Sequence, residues 1–254
     1  MYDTQQLIKI IDFWEKTVFE SDLIFRPIVD KLDSKSKEIV DIIGPRRSGK
    51  SSILNLLIKK LGLSNFLFIN FEDPYFVTHN EPQMIEELIS VYKEYFSQDL
   101  KYLFFDEIHA VNHWESIVRK LRDGGNYKIF LTGSSSKLLS RELSTLLTGR
   151  HISYSILPLS FSEFLSFKKI KIEDKKDLIL KEKTLLKNFD EYLLIGGFPE
   201  IVKTGNIALL KQYYFDIVQK DILMRYDVRQ KNILEKMGIY LITNLSKTVS
   251  IESL

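Results

Sequence analysis

Nine residues at positions 44–52, GPRRSGKSS, have the composition and spacing to hold phosphate. They satisfy G-x-x-x-x-G-K-[ST], a glycine-rich loop whose backbone N–H groups surround phosphate oxygens. Gly44 and Gly49 permit backbone conformations and close approaches that a side chain would block, and a helix starting after the loop directs its positive end at the anion. Pro45, Arg46, Arg47, Ser48 and Ser52 complete the run, the two arginines adding positive charge. In this pattern Lys50 is expected to reach the β- and γ-phosphates of a nucleotide, and Ser51 to ligate Mg²⁺ through its hydroxyl.

A second set of residues would complete such a site. Asp106 follows the apolar run Tyr102, Leu103, Phe104 and Phe105, so it emerges at the end of a buried strand, where a carboxylate holds Mg²⁺ directly or through water. Glu107 is then placed to orient or deprotonate the water that attacks the γ-phosphate. The polar stretch 132–135 offers a hydroxyl to sense that phosphate, and Ser134 is the residue chosen for the role; it also suits the N-cap of a helix starting near Ser136. Arg150, after Gly149, is a candidate to neutralise transition-state charge, in its own subunit or a neighbour. His109 and His113 stand four apart and would share a helix face, but Ala110 occupies the place where H-E-x-x-H needs glutamate, so zinc is not expected.

The elements that must position these groups follow from the hydrophobic pattern. Strands are expected over 38–43, 66–71, 102–105, 128–132 and 151–157, with helices over 51–61, 82–96 and 114–121 between them. Strands alternating with helices predict an α/β fold with a parallel sheet, ligands binding where the strands end. Residues 1–36 read as a helical packing segment, residues 37–157 as the core, and residues 158–254 as a helical part. Within that last part the lysines of 168–187 are interleaved with acids and read as a solvated face, Gly196, Gly197, Phe198 and Pro199 form a turn between helices, and 209–223 is a later helix.

Composition narrows the classes. The 254 residues carry 36 basic and 34 acidic side chains, a net charge of +2, so no global field implies nucleic acid or an anionic membrane. Cysteine is absent, which removes disulfides, thiolate nucleophiles and cysteine-ligated zinc and suits a reducing cytoplasm. No signal-peptide core and no apolar run of about 18 residues is present, so a soluble protein without a membrane partner is expected.

The series GPRRSGKSS, FINFEDP, LFFDEIHAVNHWE, IFLTGSSSKLL, TGR, PLSFSEFL, GGFPE and KDILMRY occurs in order over residues 36–230. In this the chain resembles the prokaryotic AAA-type ATPases of the archaeal ATPase group. The resemblance implies a P-loop NTPase core of the additional-strand type with a helical lid after Pro158, ATP and Mg²⁺ as cofactors, Lys50 and Ser51 as loop residues, and Asp106 and Glu107 as the acidic pair. Many relatives continue into a winged helix and a nuclease-like domain. This chain ends at SKTVSIESL, where such a winged helix would begin, so a fragment of a longer protein is expected, and DNA is the first partner to test, beside a protein partner or a homo-oligomer. The expected activity is Mg²⁺-dependent ATP hydrolysis coupled to movement of the helical part. The alternatives are an ATP-dependent binding switch with negligible turnover and a small-molecule kinase; a GTPase is disfavoured because no N-K-x-D element is present.

Overall fold

The computed structural model describes residues 3–21, 23–134, 147, 149–223 and 231–244. Five strands, β1 (Ile39–Gly44), β2 (Phe66–Asn70), β3 (Tyr102–Asp106), β4 (Lys128–Ser134) and β5 (His151–Ser155), form one sheet in the order β2-β3-β4-β1-β5, all parallel. β4 is the strand inserted between β1 and β3, as the additional-strand type requires.

Strands β1 to β4 read as largely apolar runs because both faces of the sheet are covered there, whereas the edge strand β5, HISYS, is polar and partly exposed. On one face Ile39, Ile43, Leu67, Ile69, Leu103, Phe105, Ile129 and Leu131 join the larger core. On the other, Val40, Ile42, Phe66, Phe68, Phe104 and Phe130 join the second core; Phe104 and Phe130 stack there with centroids 4.8 Å apart. Helix α1 (Thr4–Glu20) runs along β2 and lends Leu7, Ile10 and Ile11 to the first core and Val18 to the second. It thereby covers an edge strand that would otherwise invite pairing. Helices α3 (Gln83–Tyr95) and α4 (Trp114–Asp123) complete the first face, and α2 (Lys50–Leu61) the second.

Asp41 interrupts the apolar run of β1. It is buried, and its carboxylate is shared between His151 Nδ1 at 2.7 Å and Ser153 Oγ at 2.6 Å on β5. After β5 come helices α5 (Phe161–Phe167), α6 (Lys175–Leu180), α7 (Glu182–Ile195) and α8 (Pro199–Thr204). The sequence SFSE starts α5 with a full capping box between Ser160 and Glu163. The turn at Gly196 and Gly197 lies between α7 and α8, as its composition predicts.

The chain divides into two compact units at residues 209 and 210. In the second, the end of α9 (Ala208–Asp216) continues into a π-helical stretch, Ile217–Leu223, and α10 (Lys231–Thr243) follows. Among the described residues no helix is long and apolar enough to cross a membrane.

Candidate nucleotide site

The loop 44–52 leaves the carboxyl end of β1 and enters α2, whose N-cap is Gly49 at φ 94°. A left-handed φ there favours glycine, because a Cβ would crowd the backbone. Gly44 is required for a different reason. A Cβ on it would lie 2.1 Å from the carbonyl oxygen of Ile156, which passes beside the loop as the chain leaves β5. The backbone N–H groups of the first turn of α2 have no partner within their own helix and face outward at its positive end.

Lys50 is almost fully buried. Its Nζ lies 3.3 Å from the Pro45 carbonyl and 3.6 Å from Glu107 Oε1. Arg46 pairs with Glu72 at 3.3 Å, so the acidic segment after β2 does face the loop. Asp106 is completely buried at the end of β3. Thr132 Oγ1 donates to its Oδ1 and Asn70 Nδ2 donates to its Oδ2 at 2.9 Å, and the nearby Ser51 hydroxyl favours its charged form. Burial pushes the Asp106 carboxyl above its ordinary range, while these hydrogen bonds and the Lys50 charge pull the other way.

Glu107 adopts φ 52° and ψ 42°, an uncommon backbone for a residue with a Cβ. Its N–H donates to Thr132 Oγ1 at 3.0 Å, which fixes the turn. Its carboxyl is pushed up to about 7, chiefly by burial and further by Asp106 and Glu72, against the pull of Lys50 and Arg46. His109 Nδ1 lies 3.3 Å from its Oε2.

Sequence reasoning places Gly44, Lys50, Ser51, Asp106 and Glu107 in one site, and the fold brings them to one end of the sheet. It misses Asn70 and undervalues Thr132, which shares the polar end of β4 with the preferred Ser134. The backbone of Ser134 pairs with Gly44 and so adjoins the loop; the helix expected from Ser136 lies outside the described residues. Asn70 is legible only as the polar stop of the run FLFIN, and its pairing with Asp106 comes from strand register.

Arg150, a candidate for its own subunit or a neighbour's site, lies away from the loop of its own chain. It precedes β5 at the amino ends of the strands, where its carbonyl accepts from Ile39 N and its guanidinium lies 3.6 Å from Asp123. The loop starts five residues further along β1, roughly 16 Å away at strand rise. The two histidines also separate: His109 lies in a 3₁₀ turn, Ile108–Ala110, and His113 is the N-cap of α4, so they share no helix face.

A pocket of ≈ 130 Å³ opens beside Gly49 and Ser52. Leu23 and Ile24 from the segment before β1, Leu56 of α2, Phe167 of α5 and Pro199 of α8 give it apolar walls, and Arg26, Glu200 and Lys203 add charged ones. Its apolar walls adjoin the phosphate loop, the kind of surface on which a flat heterocycle packs.

The donor set fits a nucleotide with its cation. Backbone N–H groups and Lys50 suit phosphate, the Ser51 hydroxyl and Asp106 carboxylate are hard oxygen donors suited to Mg²⁺, and the pocket suits a base. Fold and site together define a P-loop nucleotide-binding protein of the α/β class. Comparison with known proteins agrees, since the AAA domain family matches residues 36–165. The chain belongs to that family. It is similar to an uncharacterized protein of Methanocaldococcus jannaschii, with 38% identity over 218 residues, 84% of this chain and 48% of that protein. An uncharacterized protein of Haemophilus influenzae shows 34% identity over 225 residues, 85% of this chain and 54% of that one. The chain thus spans about half the length of the curated relatives it matches. Among solved structures, Saccharomyces cerevisiae RIF2 aligns with 89% of the chain and 99% of its own at 16% identity and a TM-score of 0.43. Caenorhabditis elegans PCH-2 aligns with 72% of the chain and 49% of its own at 14% identity and a TM-score of 0.40.

Proposed function

We propose that the chain binds ATP with Mg²⁺ and hydrolyses it, the helices after Pro158 responding to the nucleotide. The observation that supports this most is the placement of Glu107: a buried carboxyl, held by Thr132 through its backbone, one residue from Asp106 and beside Lys50. When bound, ATP·Mg²⁺ supplies the electrophilic phosphorus and the cation that neutralises developing charge. The chain supplies the rest. Loop N–H groups and Lys50 orient the phosphates, Ser51 and Asp106 hold the cation, and Glu107 takes a proton from the attacking water. The apolar pocket by Gly49 receives the base and keeps water from it.

Lys50→Ala is the first test. It removes the ammonium that faces the phosphates, and Mg²⁺-dependent phosphate release is expected to fall by roughly 10² to 10³, together with ATP binding measured by a fluorescent analogue. Unchanged binding and release in the variant would remove the loop from the site.

A second reading, an ATP-dependent switch with negligible turnover, is favoured by the contact between Glu107 and Lys50. A base engaged with the loop lysine is withheld from water until that contact breaks. Intact ATP recovered from the protein after long incubation would support the switch. The same proposal includes a cytoplasmic setting, a homo-oligomer in which a neighbour supplies the arginine that Arg150 does not supply in its own subunit, and a DNA or protein partner. DNA binding that weakens steeply with salt would support the nucleic-acid branch.

A further inference from the structure

Arg26 is an arginine buried to 5% exposure in the segment between α1 and the sheet. Its guanidinium joins three stretches distant in sequence. Nη1 donates to the Ser48 carbonyl of the phosphate loop at 2.9 Å, and Nη2 donates to the Leu157 carbonyl at 3.1 Å. Nε and Nη2 form a fork on Glu163, at 2.8 and 3.2 Å. Glu163 also closes the capping box of α5, where its carboxylate accepts from Ser160 N at 2.9 Å while Ser160 Oγ accepts from Glu163 N.

Each contact bears on the nucleotide site. In a planar trans peptide the carbonyl and the following N–H point in opposite directions. By holding the Ser48 carbonyl, Arg26 therefore turns the Gly49 N–H away from itself, toward the phosphate side of the loop. The other half of the fork grips the first turn of the helical part. Charge-assisted forks in a dry setting are short, directional and intolerant of a lysine in place of arginine.

We propose that Arg26 and Glu163 are a positioning pair that sets the phosphate-binding peptide at Gly49 and transmits the occupancy of the loop to the helices of residues 158–205. The inference rests on nucleotide binding at this loop and is independent of turnover. Neither residue touches the reacting atoms.

The test compares the wild-type chain with Arg26→Lys and Glu163→Gln, using Mg·ATP and Mg·ADP as probes. Glutamine still serves as the N3 partner of a capping box, so Glu163→Gln removes the charged fork while keeping the helix start. Each variant is expected to weaken nucleotide binding by about tenfold, the value of one charge-assisted hydrogen bond. Hydrogen exchange across 158–205 should slow on nucleotide addition in the wild type and fail to slow in both variants at saturating nucleotide. A merely structural role predicts a lower melting temperature with nucleotide-dependent protection intact; that result overturns the proposal. If Arg26→Lys does not fold, Glu163→Gln decides alone by the same readout. A wild-type chain that binds neither nucleotide removes the functional reading itself, whereas variants that bind nucleotide normally and keep the nucleotide-dependent protection remove only the pair.

Discussion

At the amino ends of the strands hydrogen-bonding partners hold carboxyls low; at the carboxyl ends burial raises them. Before β1 and β4, Lys128 Nζ donates to the Ser36 and Glu38 carbonyls at 2.9 and 2.7 Å, and Arg122 Nη2 donates to both Glu38 carboxylate oxygens at 2.9 and 2.8 Å. Carboxyls there are held low: Asp33 at about 2, chiefly by a hydrogen bond from Ser36, and Asp123 by one from Arg122. At the opposite end burial drives Asp106 and Glu107 upward, and the buried Ser48 Oγ and Glu107 Oε2 lack hydrogen-bond partners among the described residues. Two adjacent buried carboxyls raised together mark the carboxyl end as the candidate ligand site.

Variants at the two ends should behave in opposite ways. Lys128→Met deletes two charge-assisted bonds and leaves two carbonyls unpaired, a loss of roughly 2–4 kcal/mol, read by urea unfolding, with nucleotide affinity unchanged. A matching loss of affinity would erase the distinction between the ends. Glu107→Gln should do the reverse to stability. A carboxyl raised from 4.5 to about 7 in the folded chain favours folding below its unfolded value, and that contribution disappears as pH rises through 7. The glutamine variant should thus gain on the wild type by on the order of 3 kcal/mol between pH 4.5 and 8. Parallel stability curves for the two proteins would show that burial does not raise Glu107. The smallest effect is expected at Arg150. It is partly exposed and pairs only loosely with Asp123, so Arg150→Ala should leave the turnover of the isolated monomer within about twofold. A large loss in a dilute monomer would return the residue to the site of its own chain.

The sequence carries the loop, the acidic pair and the alternation of strands and helices because each is local: a spacing, an apolar run, a polar stop. Asn70 and Thr132 are hidden because their importance lies in register across strands, which sets them on either side of Asp106 from 36 and 26 residues away. The fork from Arg26 to Glu163 spans 137 residues, and no periodicity in either segment signals it. The side of the sheet on which Arg150 lies is hidden in the sequence for a related reason. A Gly-Arg pair looks the same before a strand as after one, and only the direction of β5 shows that it lies at the far end of the sheet.

Glu107→Gln at saturating Mg·ATP tests the central claim most directly, with bound nucleotide and released phosphate measured on the same samples. The proposed hydrolysis predicts ATP bound as in the wild type and phosphate release lowered by about 10² to 10⁴, the usual worth of a general base. Release at the wild-type rate would contradict it, and the water-activating group would have to be sought elsewhere.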